Sequence, residues 1–185
     1  MRLLLLPLVF ITTALGTLQH VEFPHLLLPL SRSNPNYAPG TKLTGEISNN
    51  VHLAVSFDVP ADVPAAICRL NFHVNVNPYK NAPRELSGTV PYTFIISRLT
   101  PGLNPLTTTW SNRPQIVAKV ASVTLDHSGS VSIPDNEGWF DCPKGNVAQF
   151  LLHPVGARAF RYSWFELDYG WEEGGPHGVV LEMHT

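Results

Sequence analysis

The sequence predicts an all-β protein built as an antiparallel β-sandwich of about nine strands. Apolar and polar residues alternate in several short segments, with the period of two that is typical of a half-buried strand. The chain of 185 residues contains 17 prolines and 13 glycines, which end strands and form turns. Charged residues make up only 14% of the chain, which does not favour helices with solvated faces.

The strand that begins at Cys68 shows the alternation most clearly. One face is expected to hold Cys68, Leu70, Phe72, Val74 and Val76, and the opposite face Arg69, Asn71, His73 and Asn75. The other predicted strands lie at 26–30, 42–47, 51–57, 92–97, 117–125, 147–152, 160–165 and 179–183. Segments rich in Gly, Pro and Asn separate these strands. No segment of more than about ten residues has the apolar stripe of a helix.

Residues 1–16 have the three regions of a secretory signal peptide. Arg2 supplies the positive charge, residues 3–11 are apolar, and Ala14-Leu15-Gly16 is a small-x-small cleavage site. We therefore expect a mature domain at 17–185, secreted or retained at the cell wall, with no membrane span. The net charge of −2 provides no basic patch for nucleic acid.

The chain contains two cysteines, Cys68 and Cys142. An even number of cysteines in an oxidising compartment favours pairing, and two cysteines allow one intramolecular bridge. The sequence predicts a Cys68–Cys142 disulfide, with two buried free thiols as the alternative.

Three segments together resemble a known family. They are Phe-Pro-His-Leu-Leu-Leu-Pro-Leu at 23–30, Ser-Phe-Asp-Val-Pro at 56–60 leading into Cys-Arg-Leu-Asn-Phe at 68–72, and Phe-Asp-Cys-Pro-Lys-Gly at 140–145. This set is similar to the But-two C-terminal domain of fungal secreted and cell-wall proteins. The resemblance covers essentially the whole mature chain and implies a secreted fungal β domain, with very little chemistry. The ubiquitin pathway in the family's name is not expected to meet a secreted chain.

A looser similarity bears on the architecture. Segments 33–40, 51–58 and 109–114 follow the order of the landmarks in DNRLRE-type domains of extracellular polysaccharide-active proteins. This similarity implies a jelly-roll sandwich and a bias toward carbohydrate, by analogy of fold.

The leading candidate binding site is the loop 168–178, with Tyr169, Trp171, Glu172, Glu173 and His177. Flat rings stack on the apolar faces of sugars, while carboxylates and an imidazole form hydrogen bonds. In the alternative interpretation, the loop is structural and Tyr169 packs beneath it.

The polar face of the Cys68 strand is a second candidate surface. Arg69, Asn71, His73 and Asn75 are suited to hold a polysaccharide or a protein, although any sandwich strand also shows a solvated polar face. Trp110 and Trp139 are expected to be core or loop anchors.

No catalytic residues, metal site or cofactor are predicted. Asp126, His127 and Ser128 are adjacent in sequence and cannot face one another as a triad, so a turn is expected there. The eight histidines show no metal-ligand spacing. A glycosidase pair among Glu166, Asp168, Glu172 and Glu173 is a less favoured alternative to a solvated acidic loop.

The sequence therefore predicts a secreted, non-catalytic module whose partner is polysaccharide or an extracellular protein. A secreted protein-interaction factor is the first alternative, and a glycoside-active enzyme is the second.

Overall fold

The computed structural model describes residues 16–185, which form 13 strands and one short 3₁₀ turn. The predicted signal peptide, residues 1–16, lies outside the described residues except for its last residue, Gly16. The first strands are β1 (Leu18–Glu22), β2 (Leu26–Ser31), β3 (Thr44–Ser48), β4 (Val51–Asp58), β5 (Ile67–His73), β6 (Arg84–Gly88) and β7 (Tyr92–Leu99). They are followed by β8 (Ile116–Leu125), β9 (Val131–Ser132), β10 (Trp139–Asp141), β11 (Val147–Pro154), β12 (Phe160–Phe165), the turn Trp171–Glu173 and β13 (Gly178–His184).

All strand pairs are antiparallel and form three sheets. The orders are β2-β4-β11-β7-β8-β9, β1-β13-β5-β10 and β3-β12-β6. The prediction of an antiparallel sandwich is confirmed, although the number of strands is 13 rather than nine. Each of the nine predicted segments contains a strand, and the additional strands β1, β6, β9 and β10 have at most five residues each.

The two smaller sheets are the two halves of one interrupted layer. Strand β5 pairs with β13, and β6 pairs with β12. In sequence, β6 follows β5 and β12 precedes β13. Joining β5 with β6, β12 with β13 and β1 with β3 gives one layer of order β1/β3, β12/β13, β5/β6, β10. The chain crosses between this layer and the six-stranded sheet in the manner of a jelly roll.

Phe72 lies where the three sheets meet. The centre of its ring lies 5.5 Å from that of Phe94 in the six-stranded sheet and 5.0 Å from that of Trp164 in the three-stranded sheet. Both contacts are edge to face. Aromatic pairs in this geometry add to the stabilisation from burial. The inner faces of all three sheets therefore enclose one main apolar core.

A second, smaller apolar cluster covers the outer face of the six-stranded sheet. Leu26, Leu28 and Leu30 of β2 pack there with Leu103, and Trp110 of the loop 100–115 lies against them. Since Leu27 faces the main core, β2 is apolar on both faces, which explains why segment 26–30 does not alternate.

The predicted disulfide is confirmed. Cys68 and Cys142 are bonded, with their Cα atoms 4.9 Å apart, and β10 pairs with β5 beside them. The predicted alternation of the Cys68 strand is wrong beyond residue 74. Strand β5 ends at His73, after which Asn75 turns inward and Val76 is exposed, because Asn75 binds the backbone of a neighbouring loop.

No helix within residues 16–185 is long and apolar enough to cross a membrane.

Candidate functional site

The outer face of the four-stranded sheet carries the polar side chains of β5. Cys68, Leu70 and Phe72 point into the core, so Arg69 and Asn71 point outward by the alternation of a strand. A groove of about 330 Å³ runs beside these side chains and is lined on its other side by Val131 and Ile133.

Two tryptophans lie at the ends of this row of polar residues. The Trp171 ring contacts the His73 ring edge to face at 5.3 Å and is 57% exposed. Trp139 pairs with Arg69 across β10 and β5, lies 5.0 Å below the Arg69 guanidinium and is 41% exposed. We call the surface formed by Arg69, Asn71, His73, Glu182, Trp139 and Trp171 the indole face.

A buried carboxylate organises the centre of the indole face. Asn71 Nδ2 donates to Glu182 Oε1 at 2.9 Å, and His73 Nε2 lies 3.1 Å from the same oxygen. Burial alone would raise the pKa of Glu182, but the hydrogen bonds from His73 and Asn71, together with nearby positive charge, lower it overall. The ionised carboxylate therefore holds the amide and the imidazole in fixed orientations.

The loop 168–178 is tied to the segment after β5 by Asn75. Asn75 Nδ2 donates to the carbonyl of Gly175 at 2.7 Å and to that of Glu173 at 3.2 Å. Gly174 has φ +104°, and a Cβ there would lie 2.8 Å from Asn75 Oδ1. A glycine at this position permits both the left-handed backbone and the close approach of the asparagine.

His177 is fully buried and does not belong to an exposed surface. Its Nδ1 accepts a hydrogen bond from the Asn75 backbone N–H at 3.0 Å. Burial lowers the pKa of His177 to about 4, so the ring is neutral near pH 7. Asn75 is buried as well, and these two predicted binding residues hold the loop in place.

Tyr169 and Glu173 meet at Lys80. The Lys80 ammonium forms an ion pair with Glu173 and lies 5.4 Å from the centre of the Tyr169 ring. The hydrogen bond between Lys80 and Glu173 raises the pKa of Lys80 and lowers that of Glu173. Tyr169 is half-buried, while Glu172 is exposed.

The four carboxylates of the enzyme hypothesis take separate positions. Glu166 is partly buried and accepts a hydrogen bond from Trp164 Nε1 at 2.8 Å, while Glu173 binds Lys80. Glu172 folds back over Gly170, and Asp168 is exposed.

The predicted turn at Asp126 is confirmed, and its residues do not form a triad. Asp126 Oδ1 accepts from Ser128 Oγ at 2.6 Å and from the Ser130 N–H at 2.9 Å. His127 Nε2 lies 2.6 Å from the hydroxyl of Tyr92 instead. Between residues 16 and 185, His, Cys, Asp and Glu side chains do not come together in threes as a metal site would require.

The structure thus brings parts of the two predicted surfaces together through the Trp171–His73 contact. Sequence reasoning assigned Trp139 to the core or to a loop anchor and did not single out Glu182. A signal for Trp139 was present, because Cys142 must face inward to reach Cys68, which places Phe140 inside and Trp139 outside by alternation. Glu182 had no such signal, since its partners Asn71 and His73 are more than 100 residues away.

A family model described as "Ubiquitin 3 binding protein But2 C-terminal domain" matches residues 22–167, well over half of the chain. The chain belongs to this family. The resemblance predicted from the three sequence segments is confirmed. No curated protein matches the chain. Within this But2 domain, the matched range includes β5 and Trp139, whereas Trp171 and Glu182 lie after its last residue.

Proposed function

We propose that this But2 domain is a non-catalytic module that binds an extracellular polysaccharide across the indole face. The observation that carries the proposal is the position of two exposed indoles, Trp139 and Trp171, on either side of the polar side chains Arg69, Asn71 and His73. Indole rings stack on sugar faces, while guanidinium, amide and imidazole groups bind hydroxyls.

The dimensions of the indole face favour a chain of sugars over a single sugar. Trp139 contacts Arg69 and Trp171 contacts His73. These two residues are four positions apart on β5, a distance of about 13 Å at the rise of a strand. The groove beside β5 follows the same direction and gives an extended ligand further contact.

The face is also ordered in advance. Glu182 orients Asn71 and His73, and the hydrogen bonds of Asn75 hold the loop that carries Trp171. A surface that is ordered before binding loses less side-chain entropy when the ligand arrives.

The test measures binding of chitin, β-glucan and mannan to the wild type, W139A, W171A and the double variant. We expect one polysaccharide to be retained by the wild type and each single variant to bind about tenfold more weakly, since loss of a stacked ring costs at least about 1.4 kcal/mol.

Tyr37→Ala is the matched control for this test. Tyr37 is an aromatic residue with the same exposure as Trp171, 57%. It lies in the β2–β3 loop, whose backbone accepts a hydrogen bond from the Ser111 N–H. Ser111 belongs to the loop that covers the six-stranded sheet, which is the layer opposite the indole face. The proposal would be contradicted if the wild type retained none of the three polysaccharides. It would also be contradicted if the double variant bound as tightly as the wild type.

A protein ligand is the second candidate. The description of the matched family names a protein that binds ubiquitin 3, and aromatic and arginine residues such as Trp139 and Arg69 are enriched in protein interfaces. A pull-down from extracellular fluid that recovers a saturable protein partner, lost in W139A/W171A, would favour this candidate over polysaccharide.

We also propose that the domain acts outside the cell. The Cys68–Cys142 disulfide supports this location, because such bonds persist in oxidising compartments. Expression of the full chain in a fungal host should release a protein whose first residue is Thr17. Recovery of the protein from the cytosol with Met1 still as its first residue would contradict an extracellular location.

A further inference from the structure

Trp110 lies on the layer opposite the indole face, where its loop covers the six-stranded sheet. The ring of His52 on β4 meets the Trp110 ring edge to face, with 4.8 Å between the ring centres. The N–H of Ser111, the next residue, donates to the Pro35 carbonyl of the β2–β3 loop at 2.9 Å. These contacts bring the loop of Trp110, strand β4 and the chain after β2 together at one place.

Two guanidinium groups lie over this indole. Arg113 Cζ is 3.7 Å from the centre of the Trp110 ring, and Arg32 Cζ is 5.7 Å from it. Arg113 is half-buried, and its Nη1 donates to the Trp110 carbonyl, which fixes its guanidinium. Arg32 is exposed, and its Nη1 donates to the Asn49 carbonyl at 3.3 Å. A guanidinium has several N–H donors, so each arginine keeps donors for a ligand.

Carboxylates do not balance the positive charge at Trp110. Among residues 16–185, the ion pairs formed by carboxylates include neither Arg32 nor Arg113. Burial lowers the pKa of His52 to about 4, and the neighbouring positive groups, which include both arginines, add to this effect. The His52 ring is therefore neutral near pH 7, and the charge of the site comes from the two guanidiniums.

The two guanidiniums repel each other, because both lie over one ring. Their distances to the ring centre place the two Cζ atoms less than about 10 Å apart, which is the Debye length at 0.1 M salt. Burial and the charge of Arg32 lower the pKa of Arg113. An anion that accepts hydrogen bonds from both arginines would relieve this repulsion. Guanidinium binds phosphate in bidentate geometry, which suits such an anion.

We propose that Arg32 and Arg113 form a binding site for a phosphate group. Arg113, held against the indole, presents donors in a fixed orientation, and the exposed side chain of Arg32 closes on the second side of the phosphate. A phosphate group carries about two negative charges near pH 7 and several acceptor oxygens, which matches two guanidiniums better than a carboxylate does. This inference does not depend on polysaccharide binding by the indole face.

The test titrates inorganic phosphate into the full chain at low ionic strength and follows the Trp110 indole N–H by NMR. Acetate and chloride, each at matched ionic strength, are the comparison anions. We expect saturable binding of phosphate, about tenfold weaker binding of acetate and no saturable change with chloride, because only phosphate has the charge and the oxygens to engage both arginines.

Mannosyl phosphate, titrated in the same way, distinguishes the source of the phosphate group. Tighter binding than that of inorganic phosphate would assign the site to a phosphorylated sugar, because the sugar then adds contacts of its own. Equal or weaker binding would assign the site to free phosphate.

Three variants and one control localise the site. Arg113→Met and Arg32→Met should each weaken phosphate binding by about tenfold. Arg32→Lys should weaken it less than Arg32→Met, because lysine keeps the charge but not the planar fork of donors. Arg161→Met is the control, since Arg161 is an exposed arginine of β12 in the other layer, beside Glu46. Its phosphate affinity should equal that of the wild type.

Absence of saturable phosphate binding up to about 50 mM would overturn the proposal. An equal response to chloride would also overturn it, because salt screening alone would then move the indole signal. Equal binding of acetate would overturn the assignment to phosphate. Unchanged phosphate affinity in Arg32→Met, which alters an exposed side chain and is expected to fold, would overturn the location even if Arg113→Met failed to fold.

Discussion

Burial shifts the pKa values of two neighbouring titratable residues of the β12–β13 connection, Glu166 and His177, in the directions that favour their neutral forms. Burial raises the pKa of Glu166 to about 8 and lowers that of His177 to about 4. A raised carboxyl pKa gives stability that is present at low pH and lost as pH rises through the folded-state pKa. A lowered imidazole pKa acts in the opposite sense and destabilises the fold as pH falls below about 6.5. The unfolded carboxyl ionises above about 4.5, and the unfolded imidazole takes up a proton below about 6.5. The two effects therefore offset each other between these pH values, and stability falls on either side of them.

Glu166→Gln should remove the alkaline part of this behaviour. Gln keeps an oxygen that accepts from Trp164 Nε1 but does not ionise. The free energy of unfolding of the variant, relative to wild type, should increase between pH 5 and 8, by up to about 1.4 kcal/mol per pH unit. Urea unfolding at several pH values measures this difference.

Glu172→Gln is the control for this experiment, because Glu172 is an exposed carboxylate of the same loop. Its stability relative to wild type should be nearly independent of pH. A parallel pH profile for Glu166→Gln and wild type would show that Glu166 is ionised in the folded protein.

The interruptions of the long strands are the elements that position Trp171 at one end of the indole face. The break between β5 and β6 supplies Asn75, Asn77 and Lys80, and the break between β12 and β13 supplies the loop with Trp171. Because β5 pairs with β13 and β6 with β12, the two breaks face each other. Asn77 Nδ2 joins Asn75 in donating to the Glu173 carbonyl, at 2.9 Å, so the two breaks act as one structural unit.

Asn75→Ala should loosen this unit. The variant leaves the carbonyls of Glu173 and Gly175 without the Asn75 amide, which should cost about 1–3 kcal/mol. Hydrogen exchange at 171–177 should accelerate more than exchange in β7 and β11. Asn136→Ala, at an exposed asparagine, is the control. Unchanged exchange in Asn75→Ala would show that other contacts hold the loop.

At the scale of the whole molecule, the disulfide joins distant parts of the chain within one layer. Cys68 and Cys142 are 74 residues apart in sequence, and between them the chain crosses to the six-stranded sheet through β7 and β8 and returns at β10. Closing so long a loop restricts the unfolded chain more than the folded one.

Removal of this bond by C68A/C142A should lower the free energy of unfolding by up to about 4.5 kcal/mol in the chain-entropy model. Urea unfolding of the oxidised wild type and the double variant measures this difference. Reduction of the wild type should move its midpoint toward that of the variant. Titration of free thiols in the unfolded, unreduced protein should find none, and two thiols per chain would contradict the bond.

Local patterns were sufficient to predict most of the fold. Alternation located the nine main strands, because burial on one face of a sheet imposes a period of two on the sequence. The short strands β1, β6, β9 and β10 were missed, since a few residues do not establish a period. The pairing of the two cysteines followed from their number together with the predicted secretion.

The candidate site was predicted only in part, for a reason that the residues make clear. Sequence analysis identified Trp171, Arg69, Asn71 and His73, because the local sequence shows which rings and polar side chains lie in predicted loops and on predicted strand faces. Asn75 and His177 were assigned to the surface, yet each is buried by contact with the other. Burial of a polar residue by a partner about 100 positions away leaves no local pattern.

The sequence by itself determined that this chain forms an antiparallel β-sandwich, carries one disulfide and belongs to the But2 family, because alternation, cysteine number and family motifs are properties of short segments. Only the tertiary structure decided that the two candidate surfaces adjoin, that Trp139 belongs with them and that Arg32 and Arg113 lie over the same indole. Those facts depend on which strands pair, and pairing is set by the packing of the whole core around Phe72.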